Sequence, residues 1–312
     1  MKYLLLPGIS FVFYIYLTCA GLPFVALADK LRAVRQGRAV FVKSAGQLVQ
    51  LAALLQAFTV LALLADLALH GYINCFMQDV WRPVWLGSIA LSALALFFSI
   101  LASLACKSKK ASGAPFPVCL VLSGVAALTG VALAFICVLI FLHGGNLSHL
   151  ANGASLASSL AVLLASVAKF PLALFALACL VLAWVGAEAL ALVWYLILRR
   201  RDDFGRDYYS LMLRSHAKQA AILSGLVLLP LTICAFIALP EISALRLPQV
   251  LPWAANVNMA TLWGGAFCLP LALVCWLFLS KAQLPLRKKA LAIAAVPLVW
   301  FWFFSLLARI WV

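Results

Sequence analysis

Apolar residues in this chain are neither alternating nor striped at helical spacing. They come in long unbroken runs, parted by short polar stretches that hold nearly all of the charge. About 20 apolar residues cross a hydrocarbon core of about 30 Å as an α-helix. On that ruler the runs predict eight spans, at 4–29, 44–70, 83–105, 115–142, 171–198, 217–239, 258–280 and 290–309. The stretch 153–170 is apolar but rich in Ser and Ala, and it ends in Lys169, Phe170 and Pro171. Proline belongs in a first helical turn, so a span starts near 171 and the piece before it reads as a helix lying at the interface. The first run, Leu4 to Ala28, is longer than the apolar part of a secretion signal and runs straight into Lys30, Arg32 and Arg35, so it reads as a retained span.

Composition turns this pattern into a fold class. The chain is 67% hydrophobic and 10% charged, with a mean hydropathy of +1.14, whereas a soluble domain is about 45–50% apolar and about 25% charged. No water-solvated core absorbs that excess, so the expected fold is an all-α integral membrane protein with the lipid bilayer as its first partner. A net charge of +15 would point to nucleic acid in a soluble protein, but here the charge is segregated by loop. Alternate connections hold Lys30, Arg32, Arg35, Arg38 and Lys43; Lys107, Lys109 and Lys110; the six from Arg199 to Lys218; and Lys281, Arg287, Lys288 and Lys289. The other side holds Lys2, Arg82, Lys169, Arg246 and Arg309. The positive-inside rule makes the crowded connections cytoplasmic and puts both termini outside. That distribution excludes a nucleic-acid partner and implies a multi-pass membrane protein, for which the expected location is a bacterial cytoplasmic (inner) membrane. Nine cysteines are scattered with no C-x-x-C pair, which argues against a thiol relay or a metal site.

The chain also repeats its plan. Residues 26–55, "ALADKLRAVRQGRAVFVKSAGQLVQLAALL", and 196–225, "LILRRRDDFGRDYYSLMLRSHAKQAAILSG", both run from an apolar helix through a basic connection into the next helix. Lys43-Ser44 matches Arg214-Ser215, and "LASLACKSKK" (101–110) holds the same place as "WLFLSKAQLP" (276–285). An even number of spans per half leaves the halves parallel. The expected organisation is a four-helix repeat over 1–145, an external linker over 146–170 and a second four-helix repeat over 171–312.

Ionisable residues inside spans cost at least ~2.5–3.5 kcal/mol at mid-membrane, which makes each a functional candidate. Glu188, in "WVGAEALALVWY", falls near mid-depth of the fifth span. Asp66 and His70 form an i, i+4 pair at the outer end of the second span, on one helix face, where they could exchange a proton with a ligand. His70 and His143 both fall at outer ends of spans in the first half, so a haem b ligated by the two is a weaker alternative. His216, at the cytoplasmic start of a span, reads as interfacial. Tryptophans near span ends read as interfacial belt residues. Pro230 and Pro270 interrupt spans of the second half. The chain has no phosphate loop, HExxH or nucleophile elbow.

Through "YLTCAGLPFVALADKL", its basic connection and "LLQAFTVLALLADLALHGY", the chain resembles the eight-helix membrane-anchor subunits of polysulfide, dimethyl-sulfoxide and nitrite reductase complexes. In that family the second span often ends in an Asp followed by Leu-Gly-Arg-Pro; here Asp66 is followed by Leu67-Ala68-Leu69-His70, so only the Asp-Leu matches. The segment 193–228 resembles a helix, basic hinge and helix in subunit I of cytochrome bd quinol oxidases; that family's haem ligands have no counterpart. The first resemblance implies a quinone-reactive membrane subunit of an oxidoreductase complex. It would bind menaquinone or ubiquinone near the outer face, at Asp66 and His70, and exchange electrons with a multihaem cytochrome or iron–sulfur partner outside. Two other classes compete with it: a secondary transporter or flippase with Glu188 as coupling carboxylate, and a scaffold that tethers redox subunits.

Overall fold

The computed structural model describes residues 2–69, 82–107, 115–142, 170–200, 204–232 and 254–311. Among them there is no strand. The elements are α1 (Lys2–Gln36), α2 (Ala39–Leu69), α3 (Arg82–Lys107), α4 (Pro115–Leu142), α5 (Phe170–Leu198), α6 (Arg206–Leu223), α7 (Ala254–Lys281) and α8 (Lys289–Trp311). A π-helical turn, Ser224–Leu228, continues α6, and a 3-10 turn, Pro285–Lys288, leads into α8.

Among the described residues six stretches are long and apolar enough to cross a membrane: Ser10–Gln36, Ala39–Ala65, Pro83–Cys106, Phe116–Ala134, Leu177–Leu198 and Pro285–Ser305. Phe267–Lys281 is a shorter apolar helix. Apolar side chains also cover the outward faces. On α3, Leu86, Leu94, Phe97, Ile100 and Leu104 are all exposed. A helix with an apolar outer face belongs in a lipid environment.

Glycine stands in two of the basic connections where the chain needs a conformation other residues avoid. Gly37, at φ 64°, closes α1, and Gly205, at φ 82°, precedes the first turn of α6. Asp207 then places a carboxylate in that first turn, where the helix dipole favours it.

The chain divides into two compact units, one of Met1–Thr18 with Leu174–Val312 and one of Cys19–Ala173. The division falls inside α1. The expected linker 146–170 lies, Phe170 apart, outside the described residues.

In the unit Cys19–Ala173, helix contacts are cemented by hydroxyl groups. Ser123 of α4 donates to Ala95 O on α3 at 2.9 Å, shares a hydrogen bond with Ser99 at 2.8 Å and accepts one from Gln56 Nε2 of α2 at 3.2 Å. Ser88 of α3 donates to Gly130 O of α4 at 2.7 Å. Lipid gives helices no hydrophobic reason to associate, so such bonds and close packing carry the contact. Gly124 of α4 makes room for the Phe24 ring of α1.

In the other unit, small residues let helices close up. A Cβ at Gly186 of α5 would overlap Thr18 of α1, and one at Gly265 of α7 would overlap Ser305 of α8. Trp300 of α8 donates from Nε1 to Ser10 Oγ at 3.3 Å, with Phe11 edge-on to its ring at 5.5 Å.

The proline-bearing segments differ from expectation. Pro270 lies within a continuous α7, and Pro297 within α8. The π turn just before Pro230 has a local cause: proline offers no N–H to the carbonyl four residues back and its ring crowds that carbonyl, which widening the turn relieves.

Candidate functional site

The fifth helix is apolar along nearly its whole length. Around Glu188 the residues Val185, Ala187, Ala189, Ala191 and Leu192 are all buried, and Glu188 itself is 0% exposed. A carboxyl group in such surroundings must be met by polar partners. Trp184, one turn earlier, turns its indole toward it, Nε1 donating to Oε1 at 3.3 Å. The main partner comes from α6, where His216 Nδ1 stands 2.5 Å from Glu188 Oε2 with neither side chain exposed. Two lone pairs facing each other at that distance would repel, so a proton lies between the atoms. The Tyr195 ring stacks on the imidazole, centroids 5.2 Å apart and planes at 27°, and fixes its plane.

His216 was expected to be interfacial, at the beginning of a span. Instead α6 starts at Arg206, so His216 lies ten residues inside it and is fully buried. The reason is the basic connection itself: residues 206–215, polar enough to read as loop, form the first turns of the helix, with Tyr208, Tyr209, Met212 and Leu213 buried. Two residues before His216, Arg214 donates from Nε to Ala282 O at 3.0 Å and from Nη2 to Gln283 O. Those carbonyls follow directly on the end of α7 at Lys281. Glu188 was placed near mid-depth by counting back from Arg199.

A second buried carboxylate had not been singled out. Asp29 of α1 is 0% exposed, accepts a hydrogen bond from Ser44 of α2, and forms an ion pair with Arg32 at 2.9 Å. It is the last residue of the expected first span, 4–29, and α1 runs on to Gln36 and carries it well inside the helix. Ser44 matches Ser215 in the repeat. Each half therefore sets a buried carboxylate of its first helix against its second helix at nearly the same register: Asp29 on Ser44, and Glu188 on the neighbour of Ser215. Their partners differ in kind, since Asp29 has a permanently charged guanidinium and Glu188 has an imidazole, a group that can hold or release a proton.

Asp66 lies in the last turn of α2, and its side chain is not among those described; His70 and His143 lie outside the described residues. Among the described residues no group of three or more His, Cys, Asp or Glu side chains gathers as metal ligands. Family models, curated proteins and solved structures were compared with the chain, and none matches it.

Proposed function

We propose that this chain is an eight-span protein of the bacterial cytoplasmic membrane that exchanges protons at Glu188 and His216. In this reading it is the membrane subunit of an electron-transfer complex that reacts with quinone. The observation that carries the reading is the hydrogen bond of 2.5 Å between two fully buried acid–base groups, Glu188 on the apolar α5 and His216 on α6. A structural contact in lipid needs no ionisable partners, since serines do the work elsewhere in the chain. An acid–base pair with a proton between its members is suited to taking up or giving up one proton at a time. Quinone enters through the plan of two similar halves with basic connections, and when bound it would supply a two-electron, two-proton couple. The basic connections support a cytoplasmic placement for that end of the helices. In this proposal Asp66 and His70 remain the outer quinone residues, and a haem or iron–sulfur partner supplies or takes the electrons.

The test is gentle purification of the tagged protein from its native membrane, followed by identification of copurifying proteins, quinone extraction and a reduced-minus-oxidised spectrum. Redox partners with stoichiometric quinone support the reading, and loss of proton exchange but not of assembly in Glu188→Gln assigns the pair. A solitary, colourless, quinone-free protein overturns it.

One observation favours a second reading, a secondary transporter coupled through Glu188. The π turn Ser224–Leu228 begins eight residues after His216 on the same helix, and prolines lie inside both α7 and α8. Helix irregularities of this kind accompany substrate sites in transporters. Proton-driven solute uptake by the protein alone in vesicles would decide for it.

A further inference from the structure

We infer that the Glu188–His216 pair exchanges its proton with the compartment facing the basic connections and is sealed from the opposite one. The inference rests on the reading of the pair as a proton-exchanging site and adds the side on which it works.

The distances to the two ends of the unit are unequal. Toward the basic end, His216 stacks on Tyr195, three residues before α5 ends at Leu198. Tyr195 meets Tyr208 edge-on at 6.4 Å, and Tyr208 meets Phe204 at 5.6 Å. Phe204 is 38% exposed, so a file of three aromatic side chains leads from the imidazole to the surface. Arg214 ties this region to the carbonyls that follow α7. Toward the other end, α5 continues from Glu188 back to Phe170, 18 residues or about 27 Å by helical rise. Its described side chains on that stretch are apolar apart from Trp184 and Cys179, and Leu182, Ala183 and Val185 are buried. Along α5 itself a proton would find no carboxylate, imidazole or cationic side chain on that stretch and would have to enter low-dielectric surroundings.

The charged groups around the pair gather at the same end. Arg199 and Arg200 follow α5, Arg214 and Lys218 lie on α6, and Lys281 closes α7. Asp207, exposed in the first turn of α6, is the other carboxylate among the described residues of this unit. From the first part of α1, the phenol of Tyr14 lies against α5 beside Gly186, and a Cβ there would stand 3.4 Å from its ring. Nothing charged approaches the pair from the α1 side among the described residues.

Proteoliposomes sorted by an affinity tag at the C-terminus test this. Helix α8 leads away from the basic connection, so the tag reports which end faces out. The medium outside is stepped in pH while the lumen is held by buffer, and the carboxyl band that disappears in Glu188→Gln is followed by infrared difference spectroscopy. Glutamine keeps a partner for His216 and Trp184; should that variant fail to fold, Glu188→Asp, whose band is shifted, replaces it. The expected result is a band change when the basic end faces the stepped side and none when it faces the lumen. A change from the opposite side alone, or equally from both, overturns the sidedness and leaves the proton-exchange reading standing. A Glu188 band that responds from neither side across the accessible pH range overturns both.

Discussion

Glu188 and His216 stand 28 positions apart in the chain, yet their side chains meet at 2.5 Å with no solvent access to either. Removing one member of such a pair leaves the other buried without compensation, at about 3–5 kcal/mol, whereas replacing both by apolar residues is often neutral or stabilising. His216→Leu is therefore expected to destabilise the protein by about that amount, Glu188→Gln by less, and Glu188→Leu with His216→Leu by less than His216→Leu alone. Unfolding in mixed detergent, followed by tryptophan fluorescence, measures the three. With Glu188→Leu measured alone as well, a double variant as unstable as Glu188→Leu and His216→Leu added together would mean that the residues act separately.

Asp29 carries a comparable prediction with a different outcome for its partners. Ser44→Ala removes one hydrogen bond to a buried carboxylate, worth about 1.5–3 kcal/mol. Asp29→Leu strands both Ser44 and the Arg32 guanidinium and is expected to cost more than Ser44→Ala does. Arg32 is 24% exposed, and its charge can turn toward water, which limits that excess. Neither change should affect proton exchange at Glu188. The same detergent titration reads the stability, and the Glu188 infrared band reads the exchange.

The helices were legible in the sequence because lipid demands unbroken apolar runs, and the α3, α4 and α5 boundaries fall close to where those runs end, whereas α1 continues through its basic residues to Gln36. The site was legible only by half. Glu188 stood out as an acid in an apolar run, but His216 did not, because its segment carries Arg206, Asp207, Arg214 and Lys218 and so reads as a loop. Its helical character comes from the aromatic and aliphatic positions Tyr208, Tyr209, Met212 and Leu213, which are buried at helical spacing among the charges. Asp29 was hidden in the same way by Lys30, Arg32 and Arg35. The repeat offered a signal that could have found both, since Ser44 and Ser215 had already been matched and a carboxylate precedes each in the apolar helix before it.

Ser123 joins three helices of its unit, through Gln56 of α2 and through Ala95 and Ser99 of α3. Hydrogen bonds between helices in membranes average about 0.6 kcal/mol and reach about 1.7. Ser123→Ala breaks all of these and is expected to cost more than Ser88→Ala, which breaks one bond to Gly130 O. Equal losses in detergent unfolding would show that the Gln56 and Ser99 contacts contribute nothing.

Gly186 tests the close approach of α1 to α5. A Cβ at 186 would overlap Thr18 Cγ2, so Gly186→Ala forces the helices apart or twists a side chain, at about 1–3 kcal/mol for overpacking. In an ordinary helix the same change gains about 1 kcal/mol in propensity, so a net loss here reports the contact itself. Thr18→Ser supplies the control, because it removes Cγ2 and keeps the hydroxyl that donates to Ile15 O at 2.8 Å. Thr18 Cβ, which the serine keeps, would stand 3.2 Å from the new methyl, a tight contact, and Tyr14 Cε2 would stand 3.4 Å from it. Thr18→Ser with Gly186→Ala is therefore expected to recover part of the stability that Gly186→Ala loses. Failure of that rescue would place the strain elsewhere in α5 and remove the contact between Gly186 and Thr18 as its cause.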